Sequence, residues 1–147
     1  MNVPKVFFDT SVLVAAFVPA HPRHEQAIDR FRRALSGEFQ LLTSAHNLAE
    51  VYSVLTTLPL SPRISPATAA RIIRENMEQH VRIVPVTVTD YLDVVHYLGD
   101  TGFAGGIVYD ALACRAALQA GATLIVTFNP KDFRRLWPDA GIGIEEP

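Results

Sequence analysis

Short apolar runs alternating with longer amphipathic stretches predict an α/β chain. The expected form is a three-layer α/β/α sandwich with a mainly parallel sheet of about four to five strands. Three observations carry this. Val6-Phe7-Phe8 and Leu124-Ile125-Val126 are wholly apolar triplets, as strands covered on both faces are. Helical periodicity fills most intervals between the strand candidates. The length of 147 residues suits a single domain over residues 1–147, without repeat or linker.

The elements follow in order. The first strand, Val6-Phe7-Phe8, gives way to Asp9-Thr10-Ser11 and a short apolar helix through Phe17. Residues 22–35 read as a helix closed by Ser36-Gly37, and residues 39–43 as the second strand. Ser44 can cap a helix over 45–58, with Leu48, Val51, Val54, Leu55 and Leu58 on one face. Pro59, Pro62 and Pro66 then break the chain. Ser65 as cap and Pro66 at the first helical position start a helix ending near His80. Residues 83–86 form the third strand, with Pro85 suited to its end. Thr89-Asp90 opens a helix that ends at Gly99. Gly102, Gly105 and Gly106 lead into a helix stopping at Gly121, and Leu124-Ile125-Val126 follows as the fourth strand. Asn129-Pro130 begins a short helix to Trp137, and residues 142–144 offer an edge strand.

Composition narrows the functional classes. Thirteen basic against fifteen acidic residues give a net charge of −2, which excludes gripping nucleic acid by bulk charge alone. With 49% hydrophobic and 19% charged residues, the chain is not of disordered type. Cys114 is the single cysteine, so no disulfide forms within the chain and a reducing compartment is implied. Its small-residue neighbours read as core rather than as a nucleophile's surroundings. Residues 7–20 superficially resemble a signal peptide, but Asp9 interrupts the apolar run and no clean cleavage site follows. The uninterrupted run 12–18 is too short to span a bilayer. The expectation is a cytoplasmic protein with no membrane contact.

Three acids stand among apolar neighbours: Asp9 in VFFDTSVLV, Glu50 in NLAEVYSVL and Asp110 in GGIVYDALA. Burying an unpartnered carboxylate is costly, so each position needs a cause. Asp9 follows the first strand, where open α/β sheets bind ligands, or it caps the next helix. Glu50 borders the apolar stripe of its helix, either as an exposed edge residue or as part of a site. Asp110 either complements a helix N-terminus or reaches into a cleft. If the three converge, they need protons or a cation, and an all-oxygen set selects Mg²⁺ or Mn²⁺ over zinc. His21 and His24 lack a second ligand pair and read as surface. In Thr127-Phe128-Asn129-Pro130-Lys131-Asp132-Phe133, Asn129 and Asp132 fit helix capping, and either can also offer oxygen to a metal.

In order and spacing, FFDTSVLVA, NLAEVYSVLT, YDALACRAAL and LIVTFNPKDF resemble PIN-domain ribonucleases, specifically the VapC-type toxins of toxin–antitoxin pairs. The resemblance covers nearly the whole chain. It implies a parallel-sheet α/β/α fold, a Mg²⁺ or Mn²⁺ site and hydrolysis of RNA to 5′-phosphate and 3′-hydroxyl ends. It assigns the acidic positions to Asp9, Glu50 and Asp110, with metal held by Asp9 and Asp110 and by Glu50 directly or through water. The family's fourth acid falls at Asn129 here, with Asp132 three residues later. Thr10 or Ser11 would lend a hydroxyl. A homodimer and a cognate antitoxin partner are also implied. Arg23, Arg30, Arg32, Arg33, Lys131, Arg134 and Arg135 are either RNA contacts or ordinary solvated charges.

Three other readings stand beside this one. A phosphoacceptor receiver domain would carry paired acids after its first strand and an acceptor Asp after its third. Here one Asp follows the first strand and Val86-Thr87-Val88 follows the third. A non-catalytic PIN-like module would bind RNA or protein without cutting. A PIN nuclease outside a toxin pair would act in RNA processing.

Overall fold

Phe7 and Phe8 point to opposite faces of one sheet, and that alternation organises both sides of the protein. The computed structural model describes residues 3–147. Five strands pair in parallel in the order β3-β2-β1-β4-β5. They are β1 (Lys5–Phe8), β2 (Gln40–Ser44), β3 (Arg82–Val84), β4 (Leu124–Val126) and β5 (Gly143–Glu145). Phe7 sits in register with Leu42 on one side and Ile125 on the other, so β1 is central.

Helices cover both faces. On one lie α1 (Thr10–Phe17), α2 (His24–Leu35), α3 (Ala45–Thr57) and α4 (Pro66–Ile73). Their buried residues, among them Val12, Leu13, Phe31, Val51 and Leu55, pack on Val6, Phe8, Leu41 and Val126. On the other lie α5 (Val88–Thr101), α6 (Ile107–Gln119) and α7 (Pro130–Arg135). There Val94, Leu98, the small residues of α6 and Phe133 pack on Phe7, Leu42, Val84 and Ile125. Ala111, Ala113, Ala116 and Ala117 let α6 lie close against the sheet, and Cys114 is fully buried among them. Burial, and to a lesser degree the Asp110 charge, pushes its thiol up to about 12, so it behaves as the packed core group its neighbours suggested.

The expected three-layer sandwich is therefore present, and its sheet is wholly parallel. Several boundaries differ from the sequence reading. α2 begins at His24 because His21 to His24 form a turn, with His21 N–H on Val18 O and His24 N–H on His21 O. The helical stretch from Pro66 does reach His80 as expected, but α4 gives way after Ile73 to a wider π-turn, Arg74–Glu78, which buries Met77, before a last α-helical pair at 79–80. β3 ends at Val84, before Pro85, which has no N–H to give a ladder. α5 starts at Val88 because Thr87 and Asp90 form a reciprocal capping box; it passes through Gly99 and ends at Thr101, capped by Gly102, whose φ of 80° suits glycine. Ser44 and Ser65 cap α3 and α4 as read from the sequence.

Candidate active site

Strand order reverses around β1: the chain winds outward to β2 and β3, then returns to β4 and β5 on the other side. Such a reversal opens a crevice beyond the carboxyl ends of the strands. Asp9, the residue after β1, stands there with 8% of its surface exposed.

Of the two roles open to Asp9, helix capping is not the one its side chain adopts. It holds the N-cap position of α1 but makes no side-chain cap bond. Its carboxylate gathers donors from three segments instead. Oδ2 accepts the Thr127 hydroxyl at 2.9 Å and the Ser11 hydroxyl at 3.2 Å, and Oδ1 accepts the Asn47 amide at 3.4 Å. A carboxylate has about four acceptor positions, so three bonds leave it capacity. Burial raises its pKa, and the hydrogen bonds, that of Thr127 foremost, work against the rise.

Asn47 is held by the cap of α3. Its N–H donates to Ser44 Oγ at 3.0 Å, its Oδ1 accepts from the same hydroxyl at 2.6 Å, and its Nδ2 also reaches Thr10 Oγ1 at 2.9 Å. The strand ends β1, β2 and β4 are thereby tied together around Asp9.

Glu50 from α3 and Asp110 from the first turn of α6 face the same space. Asp9, Thr10, Ser11, Glu50 and Asp110 line one cavity of about 390 Å³. Burial, then the Asp9 charge, raises Glu50 to about 6. Burial, then the charges of Asp9, Asp132 and Glu50, raises Asp110 to about 7. A carboxylate placed only to complement a helix N-terminus would be favoured in its charged form, and Asp110 is shifted the opposite way.

Asn129 and Asp132 lie beside this cavity without lining it. Asn129 makes no side-chain cap to α7. Its Nδ2 donates to Asp132 Oδ2 at 2.9 Å and to Asp110 Oδ2 at 3.4 Å, while its N–H donates to Thr127 Oγ1 at 2.9 Å. Asp132 also meets Arg135 at 3.4 Å. Asn129 thus links the two acids, and Asp132 acts on Asp110 through its charge.

His21 and His24 depart from the surface reading. Both are half-buried, because the turn before α2 folds back on α1. His24 Nδ1 meets Ala15 O at 2.8 Å, and His21 lines the acidic cavity. Thr127, Asn47 and His46 carry no separate mark in the sequence. His46 stacks on Tyr109 with 5.2 Å between ring centres, and its Nε2 lies 3.4 Å from Glu50 Oε1. Only their nearness to strand ends, or to Glu50 and Asp110, points to them.

Among the described residues, no three His, Cys, Asp or Glu side chains already stand as a closed ligand cluster. The donor chemistry still fits a hard divalent cation. The cavity offers carboxylate and hydroxyl oxygens, and the mutual repulsion of its acids is the kind a cation relieves. Among the described residues, none of His21, His24 and His46 belongs to a cluster that could make a zinc set.

The PIN domain family profile matches residues 6–136. Ribonuclease VapC40 of Mycobacterium tuberculosis (strain CDC 1551 / Oshkosh) is 38% identical over 125 residues, covering 80% of this chain and 81% of its own. Ribonuclease VapC27 of Mycobacterium tuberculosis (strain ATCC 25618 / H37Rv) is 35% identical over 121 residues, 82% of each chain. In fold, the protein is similar to VapC20 of Mycobacterium tuberculosis, described as a Sarcin-Ricin loop cleaving toxin. That match has a TM-score of 0.67 at 20% identity, covering 86% of this chain and 92% of the other. VapBC2 from Rickettsia felis, solved bound to a DNA fragment from its promoter, gives a TM-score of 0.68 at 17% identity over 97% and 98%. Profile, relatives and fold agree: the chain belongs to the PIN domain family, among its VapC members.

Proposed function

We propose that this chain is a divalent-metal-dependent ribonuclease and the toxin of a VapBC-type toxin–antitoxin pair. The observation that carries the reading is the one cavity shared by Asp9, Glu50 and Asp110, where Asp9 weighs on both other acids. Relatives named ribonucleases at 35–38% identity support the activity, and a structural neighbour described as a toxin supports the setting.

Asp9 and Asp110 would hold Mg²⁺ or Mn²⁺, with Glu50 binding directly or through water and Thr10 or Ser11 adding a hydroxyl. When bound, such an ion supplies Lewis acidity and neutralises charge on the phosphate. The protein's own part is positioning and proton handling. Thr127, Ser11 and Asn47 fix the Asp9 carboxylate before substrate arrives. Asn129 steers the Asp110 carboxylate from the far side. Glu50, raised to about 6, is suited to accept a proton from the attacking water near neutral pH. Water oxygen bonds to phosphorus, the P–O3′ bond breaks, and a proton passes to the leaving O3′, giving 5′-phosphate and 3′-hydroxyl ends.

Partners follow the same reading. A cognate antitoxin would cover the site. A homodimer is supported by α5, where Val88, Tyr91, Leu92 and Val95 are exposed along one helical face. The buried free thiol of Cys114 suits a reducing, cytoplasmic setting. Among the described residues, no helix is long and apolar enough to cross a membrane.

The test is cleavage of a mixed RNA pool by the purified protein with Mg²⁺, with Mn²⁺ and with EDTA, alongside Asp9→Asn. Cleavage requiring both metal and Asp9 is expected. If no RNA is cut and calorimetry detects no Mn²⁺ binding, the non-catalytic module is the better reading.

A further inference from the structure

The cavity that holds the three acids is not wholly acidic. His21, Arg23 and Phe128 line it too. Arg23 lies with its guanidinium 4.5 Å from the centre of the Phe128 ring. Phe128 is tied to the acids by a short relay: its N–H donates to Ser11 Oγ at 3.2 Å, and Ser11 donates to Asp9. The position of the Arg23 platform is therefore indexed to the carboxylate at the centre of the site.

Arg23 does not serve to neutralise those acids. Among the described residues its ion pair is with Glu146, at 3.7 Å, and neither side chain is more than about half-buried. Its charge is absent from the influences on Asp9, Glu50 and Asp110. An exposed pair of that length contributes little and exchanges readily for a better anion. A guanidinium lying on an aromatic ring still presents its N–H edge, and that edge matches phosphate.

His21 supplies a second donor. Its Nδ1 accepts the Arg23 N–H at 3.0 Å, so in the neutral ring the proton sits on Nε2. One loop thus offers a planar cation and an uncharged N–H within the same cavity. Successive phosphates run along one strand, so a strand with one phosphate at the acids brings its neighbours to the cavity wall.

We propose that Arg23 and His21 form an anion subsite that takes a neighbouring phosphate of the RNA strand, with Phe128 as the platform that aims the guanidinium. The proposal rests on the ribonuclease reading and assigns Arg23 a substrate-binding role in it. The Glu146 carboxylate occupies Arg23 until the strand displaces it.

Binding of a fluorescent single-stranded RNA oligonucleotide is measured by anisotropy in EDTA, at several salt concentrations, for the full chain, Arg23→Ala and Arg23→Lys. Arg23→Ala should weaken binding about tenfold, the size of one charge-assisted hydrogen bond. It should also flatten the slope of log K against log salt by about 0.7, one phosphate's share on a single strand. Arg23→Lys should retain the slope and recover part of the affinity, since it keeps the charge and loses the planar stack. An unchanged affinity and slope in Arg23→Ala would overturn the proposal, as would absence of RNA binding by the unsubstituted chain. Failure of the ribonuclease reading looks different: RNA would bind in EDTA and stay uncut when Mg²⁺ or Mn²⁺ is added.

Discussion

Thr127 and Asp9 lie 118 positions apart in the chain and are joined by a hydrogen bond of 2.9 Å. Thr127 is fully buried, and its one hydroxyl does two jobs: it donates to Asp9 Oδ2 and accepts the Asn129 N–H. It therefore couples the end of β1 to the start of α7. Thr127→Val keeps the shape and removes both bonds. The Asn129 N–H loses its partner, and Asp9 loses the strongest hydrogen bond opposing its raised pKa. A loss of about 1–3 kcal/mol is expected in urea unfolding, with near-complete recovery in Thr127→Ser. Equal stability of the Val and Thr proteins would show that the bond does not organise the site.

The pH dependence of stability carries a definite sign. Asp110 titrates at about 7 when folded, against an ordinary value of 3.8. The folded state therefore holds this proton more tightly than the unfolded state, and the group's contribution is lost as pH rises from about 4 to about 7. His21 and His46, both lowered by burial, work in the opposite direction in the upper part of that window. The informative quantity is accordingly a difference. In EDTA, the melting temperature of Asp110→Asn minus that of the unsubstituted protein should grow from pH 4 to pH 7 and then level off. A difference independent of pH would mean that Asp110 is not held in its raised state.

The sheet was legible because its central strands are nearly pure in apolar residues, and no other element explains Phe7 and Phe8 on opposite faces. Caps were legible where one serine did the work, as at Ser44 and Ser65. The start of α5 was not, because Val88 looks like strand and only the reciprocal bonds of Thr87 and Asp90 mark the boundary. The π-turn at Arg74–Glu78 was hidden for a similar reason: its residues keep helical periodicity while their hydrogen bonding widens.

The site divides along the same line. Asp9, Glu50 and Asp110 stood out because a charge among apolar neighbours needs a cause. Thr127 and Asn47 did not, since a neutral polar residue beside a strand end is ordinary. Their importance arises from contacts across 118 and 38 positions, which no local pattern encodes. Asn129 misled in a different way. Its place before Pro130 imitates a cap, yet its amide is spent on Asp110 and Asp132.

Asp90 and Asp93 test whether burial or charge pairing governs the α5–α6 contact. Arg115 bridges both, with Nε 3.0 Å from Asp90 and Nη2 2.7 Å from Asp93. Asp90 is buried and also accepts the Thr87 N–H at 2.8 Å as half of the capping box, whereas Asp93 is half-exposed. Asp90→Ala should cost about 2–3 kcal/mol, combining a lost cap with a lost partly buried pair. Asp93→Ala should cost under about 1 kcal/mol. Comparable losses in denaturant titrations would put the energy in the exposed pair and not in the cap.

Asp9→Asn separates metal binding from folding. Asp9 carries the largest set of hydrogen bonds in the cavity, so it could be chiefly structural, and its removal would then unfold the protein. Its burial argues for a different balance, because desolvation outweighs those bonds and already disfavours the charged form. Replacing it with a neutral isostere relieves that desolvation and the repulsion felt by Glu50 and Asp110. It also turns one acceptor toward the Asn47 amide into a donor. The two effects oppose each other, so stability in EDTA should change by less than about 1 kcal/mol. Millimolar Mn²⁺ should raise the melting temperature of the unsubstituted protein and leave Asp9→Asn unmoved, since a ligand stabilises only a fold that binds it. In the unsubstituted protein the rise should be larger at pH 7.5 than at pH 5.5, where protons compete at Asp110 and Glu50. A large stability loss in Asp9→Asn without metal would make Asp9 a structural residue first. An equal response of the two proteins to Mn²⁺ would place the ion elsewhere.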